Sequence, residues 1–556
     1  MIRDTIEKAV REALTALGAP DVPFSIDYPP REAGADYATN AALAAAKALG
    51  KPPREVAEKL LSKLSSFDGV EKIEAAGPGF LNFTLRRKAF TDAVKEARSK
   101  EWGRNALYAG EKILLEYTSP NLFKPLHIGN LVGNILGESL ARLLERSGAE
   151  VTRLNYPSDI GLTVAKGVWG LWKNNLSPAD IAELGKAYVA GNEAYENDAA
   201  TKTEIEDINR ALYEDSNPAW SALRREGIET SRRHLDELCE RLGTTFDKEF
   251  FESRSGPLGR DIVKEHIGPV FEESDGAVIY RGEQDGLHTR VFLNSQGLPT
   301  YEAKELGLFK LKSDTFPAFD ISVTITGSEQ RDFFAVVFAA IKKVFPDRTK
   351  GRELRHIANG FLKLTTGKMS SRKGNVITGE SLLEDLRNDS RARMGERELK
   401  NPKATADAVA VGAVKYAVLK QGSGKDIVFD PQESLSLEGD SGPYVQYAHT
   451  RCFSILRKAK EGGVAPDASK PTSEAPLVEK LLLRFPDAVA RAALEYEPHY
   501  VAQYLLLLAS AFNSWYAAEH VLGTPEAPYK LAVVDAVRNT LESGLFLLGI
   551  KAPEEM

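Results

Sequence analysis

The spacing of apolar residues predicts helices and a pair of strands at the start of the chain. Apolar residues recur at helical intervals in "EKAVREALTAL" (7–17) and in "NAALAAAKALGKPPREVAEKLLSKL" (40–64), where Gly50 and Pro52 interrupt the pattern. The stretch "VEKIEAAGPGFLNFTL" (70–85) alternates instead, as two strands joined by a Pro-Gly turn do. Together these patterns predict a small α+β module.

A strand, a helix and a second strand follow. They are "KILLEYTS" (112–119), a segment from about Ile128 to Ser147 with one apolar stripe, and "AEVTRLNY" (149–156). This order is typical of a βαβ unit and predicts a parallel sheet. Ligands of such sheets bind beyond the carboxyl ends of the strands. The stretch "YTSPNLFKPLHIGNLVG" (117–133) lies at that edge.

The rest of the chain is mostly helical in pattern. Residues 171 to about 275 are charged and lack chemical motifs, which indicates an insertion before strand patterns resume in "AVIYR" (277–281) and "DISVTITGSEQ" (320–330). Near the end, "GPYVQYAHTRCFSILRKA" (442–459) reads as one helix, and a Pro-rich linker (461–476) follows it. A last helical stripe, which we expect to be bundle core, comprises Val501, Tyr504, Leu505, Leu508, Phe512 and Trp515.

Composition narrows the class of protein. At 556 residues, 43% hydrophobic and 27% charged, the chain is expected to form about three or four domains. A net charge of -7 argues against indiscriminate coating of nucleic acid, although local basic patches could still bind it. The two cysteines, Cys239 and Cys452, exclude a disulfide framework and a Cys-rich zinc site. Because the start lacks a signal-peptide core and no apolar stretch reaches membrane-spanning length, we expect a cytoplasmic protein.

The sequence "HIGN" (127–130) is a candidate phosphate site. His127 and Asn130 share a face of the first helical turn, where free N–H groups and the helix dipole favour an anion. Gly129 leaves room for a base or ribose against the backbone, and Lys124 adds a positive charge. Each residue alone is compatible with an ordinary cap or a solvated side chain.

The basic loop "KLTTGKMSSRKGN" (363–375) is more specific. It carries Lys363, Lys368, Arg372 and Lys373 without any acidic residue, so it could close over an anion such as the pyrophosphate that leaves ATP. A solvated surface loop is the alternative. Its occurrence after "HIGN", across an interrupted parallel sheet, favours the catalytic interpretation.

The two motifs together resemble the HIGH and KMSKS signatures of class I aminoacyl-tRNA synthetases. The resemblance is closest to the arginyl-tRNA synthetases, whose S-P-N-x-x-K-P-x-H spacing occurs in "LEYTSPNLFKPLHIGN" (115–130). Further stretches resemble that family in the same order along nearly the whole chain: "AGADYATNAALAAAKAL" (33–49), "GPGFLNFTL" (77–85), "RLNYPSDIG" (153–161), "GPYVQYAHTRCFSIL" (442–456) and "SGLFLLGIKAPEEM" (543–556).

Two departures from the signatures concern ATP. Asn130 replaces the last histidine of HIGH, and its amide can still donate to phosphate or ribose. Ser371 replaces the second lysine of KMSKS, and the resemblance implies that Lys124 compensates for it. The ATP-binding residues implied are His127, Gly129, Asn130, Lys368, Met369, Ser370 and Ser371, and the residues implied to act on the phosphates are Lys124, His127, Asn130, Lys368 and Lys373.

The resemblance also implies an arginine site. Glu116 and Asn121 match positions that hold the α-amino and carboxylate groups, and Tyr301 matches a tyrosine that lines the side-chain pocket. Four residues later the family usually has an aspartate; here Glu305 keeps the charge that a guanidinium requires, with one more methylene. The remaining residues implied to contact the substrate are Ser119, Asp159 and Gln330.

The resemblance implies a complete domain plan. The expected fold is α/β, a Rossmann-like parallel sheet with a helical insertion, an N-terminal α+β domain and a C-terminal all-α anticodon-binding bundle. We place a tRNA-elbow-binding domain at 1–108, the catalytic domain at 109–385 with its insertion at about 171–290, a connecting stem-contact region at 386–440 and the anticodon domain at 441–556. Candidate tRNA contacts are Phe80, Asn82, Tyr444, Tyr447 and Trp515.

The implied activity is ligation of L-arginine to the 3′-terminal ribose of tRNA(Arg), with MgATP as the activating substrate. The family further implies a monomer, no zinc, and arginine activation that requires bound tRNA. Two alternatives remain at this point: another class I enzyme, such as the cysteinyl or glutamyl synthetase, or a non-enzymatic tRNA-binding relative. The cysteinyl enzyme needs a zinc site that this sequence does not offer, and a non-enzymatic relative would not be expected to keep the basic loop.

Overall fold

The chain folds into an N-terminal mixed module, a central parallel sheet with helical additions, and a C-terminal helical bundle. The computed structural model describes residues 2–64, 67–126, 128–365, 378–395 and 398–556. Within those residues, no helix has the length and apolar character needed to cross a membrane.

The N-terminal module is a four-stranded antiparallel sheet packed against helices. Its elements are α1 (Ile2–Ala16), β1 (Ile26–Asp27), β2 (Tyr37–Thr39), α2 (Ala41–Leu49), α3 (Pro53–Lys63), β3 (Val70–Ala76), β4 (Phe80–Leu85) and α4 (Arg87–Glu96). The strand order is β1-β2-β4-β3. The predicted turn between β3 and β4 is confirmed, because Ala76 pairs with Phe80. Gly79 in that turn has a φ of 143°, and a Cβ there would lie 2.8 Å from Cβ of Pro53.

The central part alternates strands and helices as the βαβ pattern predicted. Its elements are β5 (Lys112–Glu116), α5 (Ile128–Arg146), β6 (Glu150–Asn155), α6 (Leu162–Asn174), α7 (Ile181–Asn197), α8 (Ala199–Glu214), α9 (Pro218–Leu242), β7 (Lys248–Glu249), α10 (Glu252–Glu265), β8 (Glu272–Ser274), β9 (Ala277–Tyr280), β10 (Arg290–Leu293), α11 (Tyr301–Thr315), β11 (Ile321–Gly327), α12 (Arg331–Val344), α13 (Pro346–Thr349), β12 (Glu353–Asn359), β13 (Leu362–Leu364) and α14 (Gly379–Met394).

Five strands form the central sheet in the order β12-β11-β5-β6-β7, and all of them are parallel. Side chains on both faces of β5 are buried, because both sides of the sheet carry apolar layers, as in other α/β folds. The predicted strand at 112–119 ends earlier than its apolar pattern, at Glu116, since Thr118 and Ser119 have positive φ.

The segment between β6 and α11 is not a simple helical insertion. Helices α6, α7, α8 and α9 pack around a small core of their own, and α6 already begins at Leu162, before the expected start at 171. Strand β7 then returns to the central sheet beside β6, which the sequence pattern did not indicate. A separate antiparallel sheet in the order β10-β9-β8 precedes α11.

The C-terminal part is helical and shares its core with the central sheet. Its elements are α15 (Pro402–Leu419), β14 (Ile427–Phe429), α16 (Pro431–Ser434), α17 (Gly442–Glu461), α18 (Leu477–Glu495), α19 (His499–Ala518) and α20 (Ala527–Leu547). The predicted stripe on α19 is core, with Trp515 only partly buried at its end. One apolar cluster joins residues of α5, α15 and all four bundle helices, so the bundle is fastened to the central domain.

Candidate active site

The bend that joins β5 to α5 has a backbone that most side chains avoid. Thr118, Ser119 and Phe123 have φ values of 73°, 38° and 71°, a region that is costly for residues other than glycine and persists only when the surroundings hold it. The surroundings are α6 and α9, which bury the Phe123 ring at Gly167 and Gly227. A Cβ at either glycine would lie 2.5 Å from that ring. The bend is therefore held by packing against the helical insertion.

The same bend is tied to the loop that follows β6. The Ser158 N–H donates to the Pro120 carbonyl at 2.9 Å, and Asn121 pairs with Ser158 in an isolated parallel bridge. The Ser119 N–H donates to Oδ1 of Asn155 at 3.2 Å. Ser119 and Asn121, two of the expected arginine-binding residues, consequently lie at the carboxyl edge of the sheet, as the βαβ pattern predicted.

Lys124 is half-buried on this bend. Desolvation by this partial burial lowers the pKa of its ammonium group, because it disfavours the charged form. Its Nζ lies 5.3 Å from the ring centroid of Tyr188, a residue of α7 that sequence reasoning did not single out. Nothing in the local sequence marks Tyr188, because α7 is distant in the chain and meets the bend only in the folded protein.

The helix mouth itself is formed by the start of α5. Gly129 and Asn130 lie half-buried in its first turn, whereas His127 falls outside the described residues. Lys368, Met369, Ser370, Ser371 and Lys373 of the basic loop also fall outside them. The chain is described again from Thr378, and the Gly379 N–H donates to the Leu126 carbonyl at 2.9 Å. The first described residues after the basic loop therefore lie next to Leu126, the residue that precedes His127.

Glu116 and Lys312 form a buried ion pair at the end of β5. Glu116 is 2% exposed, and Nζ of Lys312, from α11, contacts its Oε2. A carboxylate buried at the end of an apolar strand is costly without a partner, and Lys312 supplies one. Two turns earlier on α11, Glu305 lies within reach of both charges. Desolvation, followed by the charge of Glu116, raises the pKa of Glu305 to about 8.

A second buried pair completes what we call the charged cluster, which consists of Glu116, Glu252, Lys304, Glu305 and Lys312. Nζ of Lys304 lies 2.5 Å from Oε2 of Glu252, and both side chains are buried. Burial alone would lower the pKa of Lys304, but the neighbouring Glu252 carboxylate outweighs it and raises that pKa. Sequence reasoning missed this pair; Lys304 could have been noticed beside Glu305, but Glu252 carries no local signal.

The remaining expected arginine contacts are placed differently from one another. Tyr301 begins α11 and is 63% exposed, with Nζ of Lys304 5.0 Å from its ring centroid. Gln330 is half-buried in the short 3-10 turn after β11. Asp159 is buried and already occupied, because it accepts from Arg224 at 2.7 Å and from the Ser253 N–H at 2.8 Å. As placed, Asp159 anchors α9 and α10 to the loop that follows β6.

Comparison with known proteins covers all three parts of the chain. Residues 94–431 match the family described as "tRNA synthetases class I (R), catalytic domain". Residues 2–85 match "Arginyl tRNA synthetase N terminal domain", and residues 445–556 match "DALR anticodon binding domain". The chain belongs to the arginyl-tRNA synthetase family.

Individual members of the family align from end to end. Arginine--tRNA ligase of Ligilactobacillus salivarius is 32% identical over 100% of this chain and 99% of its own, and that of Clostridium perfringens is 30% identical over 96% of each. The solved structure of Thermus thermophilus arginyl-tRNA synthetase superposes with a TM-score of 0.84 at 30% identity, and both chains are covered completely. The predicted family and fold are confirmed, and arginine activation followed by tRNA charging is the corresponding activity.

The residues expected to contact tRNA lie in the other two parts of this arginyl-tRNA synthetase, away from the charged cluster. Phe80, on β4 of the N-terminal module, is 39% exposed, and Asn82 is half-buried on the same strand. Tyr444 and Tyr447 are half-buried on α17, where the Arg451 guanidinium lies 4.9 Å from the Tyr447 ring centroid. The described surface thus presents aromatic side chains in both modules.

Proposed function

We propose that the cleft between the charged cluster and the start of α5 carries out both steps of arginine charging. The carboxylate of arginine attacks the α-phosphate of MgATP, which releases pyrophosphate and leaves arginyl-adenylate. The 2′ hydroxyl of the tRNA's terminal ribose then takes the arginyl group, and AMP departs. The steps need no side-chain nucleophile, so positioning and electrostatic stabilisation supply the catalysis.

The observation that carries the proposal is the charge balance of the cluster. Glu116 is paired with Lys312 and Glu252 with Lys304, whereas Glu305 has no ion-pair partner among the described residues. A guanidinium is permanently charged and planar, and it would supply the one missing positive charge. Glu305 is therefore proposed to bind the arginine side chain, with the ring of Tyr301 beside it.

We propose that the end of β5 and the strained bend after it hold the α-amino and carboxylate groups of arginine. Glu116, Ser119 and Asn121 lie at the end of β5 and in the bend, where they would meet the α-amino and carboxylate groups. Gln330 borders the same edge from the end of β11. Asp159 is proposed to act indirectly, by holding α9 and α10 in place, since both of its carboxylate oxygens already accept hydrogen bonds.

ATP is proposed to bind at the mouth of α5. Free N–H groups and the helix dipole favour phosphate there, and Lys124 contributes a half-buried cation. His127, Gly129 and Asn130 would hold phosphate and ribose, and Lys368 and Lys373, with Met369, Ser370 and Ser371, would close over the β- and γ-phosphates. The hydrogen bond from Gly379 to Leu126 supports this arrangement because it brings the first described residues after the basic loop next to the residue before His127.

Magnesium is proposed to enter with ATP as part of the substrate. The described residues contain no group of three or more His, Cys, Asp or Glu side chains arranged for a metal ion. Mg²⁺ typically keeps several waters and is held by substrate phosphates with one or two carboxylates, so a preformed protein cage is not required.

We further propose that tRNA(Arg) bridges the modules, with its elbow on the N-terminal module near Phe80 and Asn82 and its anticodon on the bundle near Tyr444, Tyr447 and Trp515. Unstacked anticodon bases can stack on such aromatic side chains. We propose, following the family, that the protein is a cytoplasmic monomer. Sedimentation analysis would measure its mass in solution directly.

The test is ATP–pyrophosphate exchange with a panel of amino acids, with and without tRNA(Arg). We expect exchange with arginine alone among the panel, and only when tRNA is present. Exchange that prefers another amino acid would contradict the role of Glu305, and no exchange with arginine and tRNA together would contradict the proposed chemistry.

A further inference from the structure

Helix α7 of the insertion packs directly on the bend that carries Lys124. An ideal Cβ on Gly185 would lie 3.0 Å from Cδ of Pro125, so the helix backbone approaches the proline closely. One turn further along the same face, the ring of Tyr188 lies 5.3 Å from Nζ of Lys124. Two consecutive residues of the bend, Lys124 and Pro125, therefore rest on two positions of one helix face.

The position of α7 is set by backbone contacts with α6. A Cβ on Gly170 would lie 2.0 Å from the Ala187 carbonyl oxygen, and one on Gly191 would lie 2.0 Å from that of Lys166. Packing this close leaves little freedom to slide, because any shift would bring backbone atoms into contact. Because α7 is fixed against α6 and its Gly185 lies against Pro125, the Tyr188 ring is held in a defined place relative to the bend.

Lys124 depends on that ring for an electrostatic partner. Among the described residues, no carboxylate lies within ion-pair distance of its Nζ, and the side chain is half-buried. The face of an aromatic ring attracts an ammonium ion within about 6 Å of the centroid, most strongly where water is excluded. A ring also leaves the ammonium free to donate hydrogen bonds to an anion, whereas a carboxylate would neutralise it.

We propose that Tyr188 is a positioning residue that holds the Lys124 ammonium group at the mouth of α5, ready for the triphosphate of ATP. This inference rests on the proposed role of Lys124 in ATP binding and assigns a function to the insertion helix: it supplies the face against which the lysine is aligned. Tyr188 acts through Lys124 and touches no reacting atom in this assignment.

The experiment measures tRNA-dependent aminoacylation by the full-length enzyme for Y188A, Y188F, K124A and the double variant Y188A/K124A. We expect Y188A to lower kcat/KM for ATP by about tenfold, with KM for arginine unchanged. Y188F keeps the ring face and should stay within about twofold of the parent enzyme. In the K124A background, Y188A should cause no further loss, because its partner is already absent.

The matched control is Y195A. Tyr195 lies on the same helix, away from the bend, and its ring centroid is 4.2 Å from Nζ of Lys166 and 5.3 Å from Nζ of Lys202. Y195A should leave kcat/KM for ATP within about twofold of the parent enzyme.

Equal losses in Y188A and Y195A would overturn the inference and indicate general damage to α7. Additive losses in the double variant, or a rise in KM for arginine alone, would overturn it while leaving the proposed role of Lys124 intact. No loss in K124A would overturn that role and the inference with it.

Discussion

The two ends of the cleft treat charge in opposite ways. At the arginine end, four charges are buried as two ion pairs and one carboxylate, Glu305, is left over. At the ATP end, Lys124 is desolvated and faces an aromatic ring rather than an acid. Each end thus keeps one titratable group without an ion-pair partner, and the charged form of that group has the sign opposite to its proposed ligand, a guanidinium or a triphosphate. An enzyme that must orient two oppositely charged substrates in one cleft can do so by placing these surpluses apart.

The largest effect is expected from removing the surplus carboxylate. Glu305→Gln keeps the shape of the side chain but leaves the guanidinium without a counter-charge, so KM for arginine should rise by about 300-fold. KM for ATP should stay nearly unchanged, because Glu305 lies at the other end of the cleft. Steady-state aminoacylation with each substrate varied in turn measures both. An unchanged KM for arginine would show that the guanidinium binds elsewhere.

A somewhat smaller effect is expected from removing the surplus ammonium. Lys124→Ala should slow adenylate formation by about 100-fold, because a fixed charge that faces the phosphates stabilises the transition state. Arginine binding should change little, which equilibrium binding of labelled arginine checks. Lys186, an exposed lysine on α7, provides a matched control: Lys186→Ala should keep the parent rate. Equal rates for the two variants would contradict the proposed compensation for the serine at 371.

The smallest effect is expected from pH, and it tests the arginine end without mutation. Glu305 must be ionised to bind a guanidinium, and its pKa is raised to about 8 by desolvation and by Glu116, while Lys312 and Lys304 act in the opposite direction and Glu252 adds to the rise. KM for arginine should therefore fall roughly eightfold between about pH 7 and pH 8.5. Glu305→Gln should abolish this dependence, and a flat profile in the parent enzyme would contradict it.

The same group predicts the opposite sign for stability. Because the folded protein holds the proton on Glu305 more tightly than the unfolded chain does, its contribution to folding is present below the ordinary carboxyl range and is lost as pH rises through about 8. Without arginine, the enzyme should thus become less stable over the range in which its arginine affinity improves. Urea unfolding at several pH values, compared with Glu305→Gln, separates the two trends.

Much of the architecture followed from local patterns. The period of apolar residues located β5, α5, β6 and β11, and the parallel order placed their carboxyl edge beside the helix mouth. These features depend on interactions between near neighbours in the chain, so the amino-acid sequence is enough to locate them. Strand β7 was an exception, because it has only two residues and its pairing with β6 depends on partners far away in sequence.

The candidate site was only partly visible in the same way. Glu116, Lys124 and Glu305 could be named because they stand at fixed distances from recognisable motifs. Lys312 as the partner of Glu116, and Glu252 as the partner of Lys304, could not, since a charge pair between separate elements leaves no spacing to read. The hydrogen-bond partners of Asp159 could not be read from its position either, because they lie on α9 and α10.

The order of residues was sufficient to establish the family, the parallel sheet, and the presence of an acidic and a basic set of candidate side chains. Folding then determined which charges neutralise one another and which stay available, because that depends on burial and on distances of a few ångströms between α11, β5, α7 and the bend. Tyr188 is the clearest case: its ring is an unremarkable aromatic position of α7 until close helix packing places it beneath Lys124.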